Sequence, residues 1–441
     1  MTRRWPGNPA RTKKGRCLVM HIETLLNRYH PIKGWTYTHA HLVSSRGKDC
    51  IEVEIEPFKR NKPVCSGCGR PGPGYDHGGN AVRRFHFIPI FAVSVVLLYT
   101  MRRVDCKTCN KVLVEKVPWS DGKSQLTHAF MSFLATWAKR MSWKDVARAF
   151  HVGWDSVYTA VEWVVTYGRQ HMDLSGITAI GVDELSRSKG HKYLTLTYQI
   201  DPGRKRLLWV GHDRKAKTLN AFFDWLGEDR SNQIRYVCSD MWKPYLQVIQ
   251  KRAKNALNIL DRFHIVTNLG KVVDKVRCQE VAWLRMKGYP AYLKKMRWIL
   301  LKKPRNLKKS QRVKRDKLLL RFNLRSVRAY LLRLDFEHVW SYKIPEHAGD
   351  FLEQWCRRVM RSRIEPLKKF AKSIRKHQGL ILNYFKAAKM FSSGIVEGLN
   401  NKARVGMRRA YGIRGNKVLE LVLYHQLGDL PEPPITHRFA G

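Results

Sequence analysis

Acidic residues are scarce in this chain. Of 441 residues, 35 are Asp or Glu against 83 Lys or Arg, a formal net charge of +48 at pH 7. Such an excess repels itself in a compact fold unless a polyanion neutralises it, so nucleic acid is the expected partner. Long apolar runs are also missing. The longest, Phe87 to Met101, is interrupted by Pro89 and Ser94 and falls short of the roughly 20 residues of a membrane span, so no membrane partner is expected. The opening MTRRWPGNPARTKKGRC is basic with no apolar run behind it, which argues against a signal peptide. Residues 1–19 read as a flexible basic lead, with Met20 a candidate start. A disulfide framework is missing too. The cysteines number nine, and Cys17, Cys50, Cys238, Cys278 and Cys356 are scattered, which points to the reducing cytosol. The apolar content is not low: 44% of the chain is hydrophobic and 14 residues are Trp. That fits a folded enzyme or large binding protein of about two to four domains better than a short ribosomal-type protein.

The other four cysteines form two pairs of one spacing, Cys65-Ser-Gly-Cys68-Gly and Cys106-Lys-Thr-Cys109-Asn. Each turn brings two thiolates about one tetrahedral edge apart, and two such knuckles supply the soft ligands that structural Zn2+ prefers. Two unrelated pairs or a redox dithiol is the competing reading. The strand-like RRFHFIPI and VSVVLLYTMRRV between them suggest a β-ribbon carrying both knuckles. His77 and His86 read as surface residues rather than spare ligands, and Arg83, Arg84, Arg102 and Arg103 suggest a face towards nucleic acid. Upstream, IEVEIEP places Ile51, Val53 and Ile55 on one face of a strand. From Thr127 the pattern is helical. THAFMSFLATWAKR puts Phe130, Leu134 and Trp137 on one face, and MSWKDVARAFHVGWDSVYTAVEWVV gives helix, break at Val152-Gly153, and helix, capped by Asp155 or Ser156. This is the helix-turn-helix pattern, whose second helix enters the major groove. Trp154, Ser156 and Tyr158 (with Asp155) at its leading end are the candidate DNA contacts; an ordinary helical hairpin is the alternative.

Ile177 to Ile265 is the stretch around which the rest is organised. Three runs rich in β-branched residues are separated by turns at Lys189-Gly190 and Pro202-Gly203, an antiparallel meander. Lys217–Leu226 then reads as a helix, Ile234–Ser239 as a strand, Pro244–Ala253 as a helix and Leu257–Leu260 as a strand. The expected result is an α/β fold with a mixed sheet covered by helices. Alternation puts Gly181 and Asp183 on one face with Glu184 opposite, and Tyr236, Cys238 and Asp240 on one face. If those strands are neighbours, Asp183 and Asp240 converge, and a hard divalent cation relieves their repulsion. Capping of turns by either aspartate is the bland alternative. Far downstream, in MFSSGIVEGLNNKARVGMRRAYG, Glu397, Asn401, Arg404 and Arg408 share one helical face, suited to a metal ion beside a phosphate backbone or, blandly, to solvent. Ser392 or Ser393 is the candidate cap and Gly412 follows the end. In DRFH, Asp261 and His264 read equally as orienting groups near the active end or as a helix cap and first turn; neither is a catalytic candidate here.

GVDE, CSDMWKPY, DRFH and GIVEGLNNKAR, behind two zinc knuckles and a helix-turn-helix, resemble the DDE transposases of bacterial insertion sequences, most closely the ISL-three group. The likeness runs from about Cys65 to Gln426. It implies an RNase H-like core whose Asp-Asp-Glu triad corresponds to Asp183, Asp240 and Glu397, holding Mg2+ (or Mn2+) beside structural Zn2+. It further implies recognition of the element's terminal inverted repeats, metal-dependent strand cleavage and strand transfer to target DNA, with double-stranded DNA as the partner of at least a homodimer. The implied organisation is a basic lead at 1–40, a β-ribbon zinc-binding domain at 41–118 and a helix-turn-helix domain at 119–172. Catalytic-core segments follow at 173–277 and 386–428, flanking a basic helical insertion at 278–385, with a tail at 429–441. A non-catalytic DNA-binding regulator derived from a transposase, and an RNase H-type nuclease, are the competing classes. A serine or tyrosine recombinase would have only Ser186 or Tyr193 to offer.

Overall fold

The computed structural model describes residues 21–45, 47–75, 81–188, 192–321, 323–391, 393–410 and 415–434. The lead 1–19, His77, the Lys189-Gly190 turn, Ser392 and Gly412 lie outside them, and nothing is described of the Ser393 side chain. The chain forms two compact units, one running to His171 and joined by the segment from Leu430, the other Met172–Asp429.

In the first unit, helix α1 (Ile22–Tyr29) precedes strands β1 (Trp35–Ser45), β2 (Lys48–Pro57), β3 (Val82–Ile90) and β4 (Val93–Thr100), which form a sheet of order β1-β2-β4-β3. Ile51, Val53 and Ile55 on β2 are buried, as their alternation predicts. The folded region starts earlier than the expected boundary at residue 40. Leu26, Trp35 and Tyr37 are core residues, the last two because WTYT alternates apolar and polar just as IEVEIEP does. Trp119 ties this core together, edge-on to Trp35, Tyr99 and Phe85 with ring centroids 4.7, 5.5 and 5.8 Å away. The segments expected to form a knuckle-bearing ribbon are instead β3 and β4 of this sheet. A separate short hairpin, β5 (Arg103–Cys106) and β6 (Lys111–Val114), carries the second knuckle. Glu115, just after it, is buried and accepts hydrogen bonds from the Tyr99 hydroxyl and the Arg102 amide on Oε1, and from Arg102 Nε and Nη2 on Oε2.

Helices α2 (His128–Ala138), α3 (Trp143–Ala149) and α4 (Trp154–Gln170) complete this unit. Thr127 caps α2 and Ser142 caps α3 through side-chain bonds to Phe130 N and Asp145 N. Helix α4 starts at Trp154 with Gly153 as its cap residue and no side-chain cap bond. Neither Asp155 nor Ser156 caps it; Asp155 sits in the first turn, where a carboxylate favours the positive end of the helix dipole.

The second unit is built on a five-stranded sheet. Strands β7 (Ala179–Ser188), β8 (Lys192–Asp201) and β9 (Arg204–Gly211) form the meander, followed by α5 (Ala216–Leu226), α6 (Glu228–Gln233), β10 (Tyr236–Ser239), α7 (Lys243–Arg252) and β11 (Leu257–Leu260). The order is β11-β10-β7-β8-β9, with β10 parallel to β7 and β11, the mixed RNase H-like arrangement. Phe222 and Phe223 of α5 and Tyr245 and Ile249 of α7 pack with Ile180, Val182 and Val237 into its core. Helices α8 (Arg262–Met286), α9 (Arg297–Leu301), α10 (Lys309–Leu319), α11 (Arg325–Glu337), α12 (Pro345–Arg361), α13 (Glu365–Lys376) and α14 (Gln378–Lys386) follow. Position 278 falls inside α8, so this helix runs unbroken from the sheet into the helical insertion. Finally α15 (Ser393–Arg409) packs on β7 and β8, and α16 (Asn416–Leu427) on β9 and α15.

Candidate active site and DNA-reading elements

Three aspartates meet on three neighbouring strands, Asp183 midway along β7 and Asp240 and Asp261 just past the ends of β10 and β11. Gly181 on β7 is in register with Cys238 on β10, so Asp183 and Asp240, each two residues further on, reach the same level. Ser239 pairs with Leu260, which brings Asp240 level with Asp261. The carboxyl ends of parallel strands are where open α/β sheets place their sites. The three side chains open onto one small cavity of about 10 Å³, lined also by Cys238, Phe391 and Val396.

Each carboxylate is held by a different set of donors. Asp183 accepts from the Glu184 amide at 2.7 Å on Oδ1 and from Asn400 Nδ2 at 2.5 Å on Oδ2. Asp240 accepts from the Trp242 amide at 2.9 Å on Oδ1, and its Oδ2 lies 3.2 Å from Arg214 Nη2. The same guanidinium pairs with Glu184 and lies 4.6 Å from the centre of the Trp242 ring. Asp261 caps α8 by accepting from the Phe263 and His264 amides. His264 Nε2 is 3.6 Å from Asp183 and 3.7 Å from Asp261. The capping reading of DRFH therefore holds for Asp261, which also stands in the acidic cluster.

The electrostatics are those of crowded, desolvated anions. The side chains of Asp183, Glu184, Asp240 and Asp261 are only 16, 12, 16 and 11% exposed. Burial, reinforced by Asp261 and Asp240, raises Asp183 above the ordinary carboxyl range despite His264 and the Glu184 amide. Burial and then Asp240 push Glu184 up to about 7 against the opposing pull of Arg214. Glu184 does lie off the Asp183 face, as alternation predicts, but Arg214 links it to Asp240.

Helix α15 reaches the cluster through close packing. Val396 is buried against Gly181, where a Cβ would lie 2.5 Å from Val396 Cγ2, so only glycine lets the helix approach this closely. One turn on, Asn400 is buried and spans the gap, donating to Asp183 and accepting from the Tyr198 hydroxyl at 2.7 Å. Half-buried Glu397, between these two anchors, has no hydrogen-bond or ion-pair partner among the described residues. Asn401 is exposed and accepts from Arg404 at 2.8 Å, and Arg404 and Arg408 are exposed beyond it. The expected face is thus present, but Asn400 rather than Asn401 touches the cluster. The i+3 spacing from Glu397 was its signal; Arg214, in a loop before α5, had none.

In the first unit the four knuckle cysteines come together, their sulfurs all within 4.8 Å of one another. Cys65 and Cys109 are 3.9 Å apart, Cys68 and Cys106 3.5 Å, close to the edge of about 3.8 Å that Zn–S bonds of about 2.3 Å give a tetrahedron. Gly69 (φ +73°) and Asn110 (φ +51°), each just after a knuckle, take the left-handed backbone that the turn needs. Hydrogen bonds from the neighbouring thiols push the Cys109 thiol up to about 12. At the leading end of α4, Trp154 is 41% exposed and stacks on Tyr158 at 5.6 Å. Tyr158 is half-buried and donates to Glu162, and Ser156 is half-buried beside them.

Comparison with known proteins bears on both units. Residues 180–423 match a family described as transposase, the DDE group of ISL3. The chain belongs to the ISL3 family of transposases. Residues 115–162 match the helix-turn-helix domain of transposase family ISL3, and residues 61–109 the zinc-finger of the transposases of IS204, IS1001, IS1096 and IS1165. The chain is 32% identical over 336 residues to the transposase for insertion sequence element IS1001 of Bordetella parapertussis, covering 76% of this chain and 81% of that one. It is 30% identical over 416 residues to the transposase for insertion sequence element IS1557 of Mycobacterium tuberculosis, covering 88% and 91%. The four cysteines of this ISL3 transposase form its structural zinc site, α3 and α4 its DNA-binding helix-turn-helix. No helix among the described residues is long and apolar enough to cross a membrane.

Proposed function

We propose that Asp183, Asp240 and Glu397 are the catalytic acids with which this transposase cleaves the ends of its own insertion sequence and joins them to target DNA. The observation that carries the reading is the register of β7 with β10, which levels Asp183 with Asp240, beside an α15 anchored on either side of Glu397. Nearly desolvated carboxylate oxygens and a glutamate without a partner among the described residues suit a hard divalent cation. Mg2+ or Mn2+ held by these three residues would supply Lewis acidity and charge neutralisation at the phosphodiester. Water adds to phosphorus, the P–O3′ bond breaks, and the products are a 5′-phosphate and a free 3′-hydroxyl. That hydroxyl then attacks a target phosphodiester in the same way. Asn400 keeps Asp183 oriented, while Trp154, Ser156 and Tyr158 meet the terminal inverted repeat and Asn401, Arg404 and Arg408 the backbone near the cut. Concerted cutting of two ends calls for at least a homodimer on DNA.

The test is strand cleavage of a labelled duplex carrying the element end, with and without Mg2+. Wild-type protein nicks at the repeat boundary only with the metal, and Asp183→Asn, Asp240→Asn and Glu397→Gln each bind but do not cut. Binding without cleavage by wild type under any divalent metal would reject this reading in favour of a DNA-binding regulator.

A further inference from the structure

A second concave site lies within the helical part of the second unit, away from the acidic cluster. Its volume is about 710 Å³, inside the ~300–1,000 Å³ range of sites that enclose a nucleotide-sized ligand. Lys275 and Trp283 reach it from α8, Arg325 and Arg328 from the start of α11, Arg363 from the α12–α13 turn and Lys369 from α13. All six are exposed. Two acids share the lining, yet both are committed elsewhere. Glu280 is buried and accepts from the Arg325 and Ser326 amides at 2.6 and 2.7 Å, capping α11, and Glu365 is paired with Lys368 at 2.7 Å. Among the described residues, Lys275, Arg325, Arg363 and Lys369 make no ion pair within 4 Å with a carboxylate.

Uncompensated cations around a cavity call for an anion, and the aromatic ring narrows the choice. Trp283 is 46% exposed, with Tyr289 stacked on it at 5.8 Å. Guanidinium and ammonium groups beside an exposed indole are the groups that hold unpaired nucleotides, phosphates on the cations and a base against the ring. A duplex offers phosphates but keeps its bases stacked inside, so it would leave the ring unused.

We propose that this cavity binds unpaired nucleotides of the DNA being processed, with one base on Trp283 and its neighbouring phosphates on Arg325, Arg363 and Lys275. The proposal rests on the transposase reading above and adds the substrate state that the helical region holds. Helix α8 fixes the distance. His264, beside Asp183, and Trp283 lie on this one helix, nineteen residues and so about 28 Å apart along its axis.

The experiment uses the full-length zinc-bound protein and a short fluorescent oligothymidine. Affinity for it should fall about tenfold or more in Trp283→Ala, the size of one lost base-stacking contact, and be largely restored in Trp283→Phe. The pair Arg325→Ala, Arg363→Ala should lower both affinity and its salt dependence. Binding to the terminal-repeat duplex, measured in parallel, should change little in Trp283→Ala, which also verifies folding. Unchanged oligothymidine affinity in Trp283→Ala would overturn the proposal. So would competition by poly-glutamate as effective as that by unlabelled oligothymidine, since the site would then read charge alone. Should the wild type fail to cleave element ends while oligothymidine binding still depends on Trp283, the catalytic reading falls and the cavity stands.

Discussion

Replacing Gly181 by Ala tests whether the contact between β7 and α15 positions the active site. The added Cβ would sit 2.5 Å from Val396 Cγ2, whereas carbon atoms in contact prefer about 3.5–4.0 Å. Val396 must therefore retreat by about 1 Å, and it is buried, with little room to turn aside. Overpacking of this kind costs about 1–3 kcal/mol, a fall of roughly 2–10 °C in the melting of a unit this size. The larger effect falls on chemistry. Glu397 is the next residue and Asn400 the next turn, so a shift of about 1 Å is carried directly to both, and displacement on that scale costs about a hundredfold in rate. The assay is Mg2+-dependent nicking of the element end beside binding of the same duplex. Gly181→Ala should nick about a hundredfold more slowly and bind normally. Val396→Ala in the same chain removes the clashing methyl and should recover most of the rate. Wild-type cleavage by Gly181→Ala, or no recovery in the double variant, would refute the reasoning.

Four further outcomes follow from named contacts. Glu115→Ala strands the Arg102 guanidinium and the Tyr99 hydroxyl and should destabilise the first unit by about 3–5 kcal/mol in denaturant titration. Chelating the zinc should abolish terminal-repeat binding; because zinc binds thiolates and competes with protons for them, zinc retention measured with a competing chelator should weaken as pH is lowered. Asn400→Ala should cut cleavage sharply and cost about 1–3 kcal/mol by orphaning buried partners, whereas exposed Asn401→Ala should stay within about 0.5 kcal/mol of wild type. Arg214→Ala leaves Glu184 and Asp240 facing each other and should destabilise by about 1–3 kcal/mol, discounted because the guanidinium is a third exposed. Adding Glu184→Gln should return part of that stability in the same thermal melts.

Much of the second unit was readable because short apolar runs bounded by turn residues mark strands well. β11 falls on Leu257–Leu260 as its pattern predicts, and α5 and α7 fall within one residue of the expected spans. Face assignment also worked: Gly181 and Asp183 both meet α15, as a period of two requires. Partners were less readable. Periodicity says which side chains point together but not which distant loop arrives to meet them, so Arg214 and Tyr198 left no trace in spacing. On a helix, i+3 and i+4 both lie near i; choosing Asn401 over Asn400 was a choice that only the docking angle of α15 decides. The β1 boundary was missed for a simpler reason, since the basic composition of the first residues masked the alternation of WTYT.

The scarcity of acids gives the site its meaning. With 83 basic residues to 35 acidic ones, a carboxylate placed at random on this chain has cations close at hand, and acids such as Asp335, Glu353 and Asp274 do pair with arginines. Where β7 meets the ends of β10 and β11 the balance reverses. Arg214 reaches both Glu184 and Asp240, and His264 both Asp183 and Asp261, while among the described residues neither Asp183 nor Glu397 forms an ion pair with a Lys or Arg. Folding gains nothing from such crowding, which pushes Asp183 and Glu184 towards holding protons. A divalent cation would relieve it, because two positive charges among hard oxygen donors would offset the repulsion that one guanidinium leaves. The same protein keeps four soft thiols together in its other unit. Donor chemistry therefore supports zinc on the sulfurs and fits the proposal of a harder ion on the carboxylates.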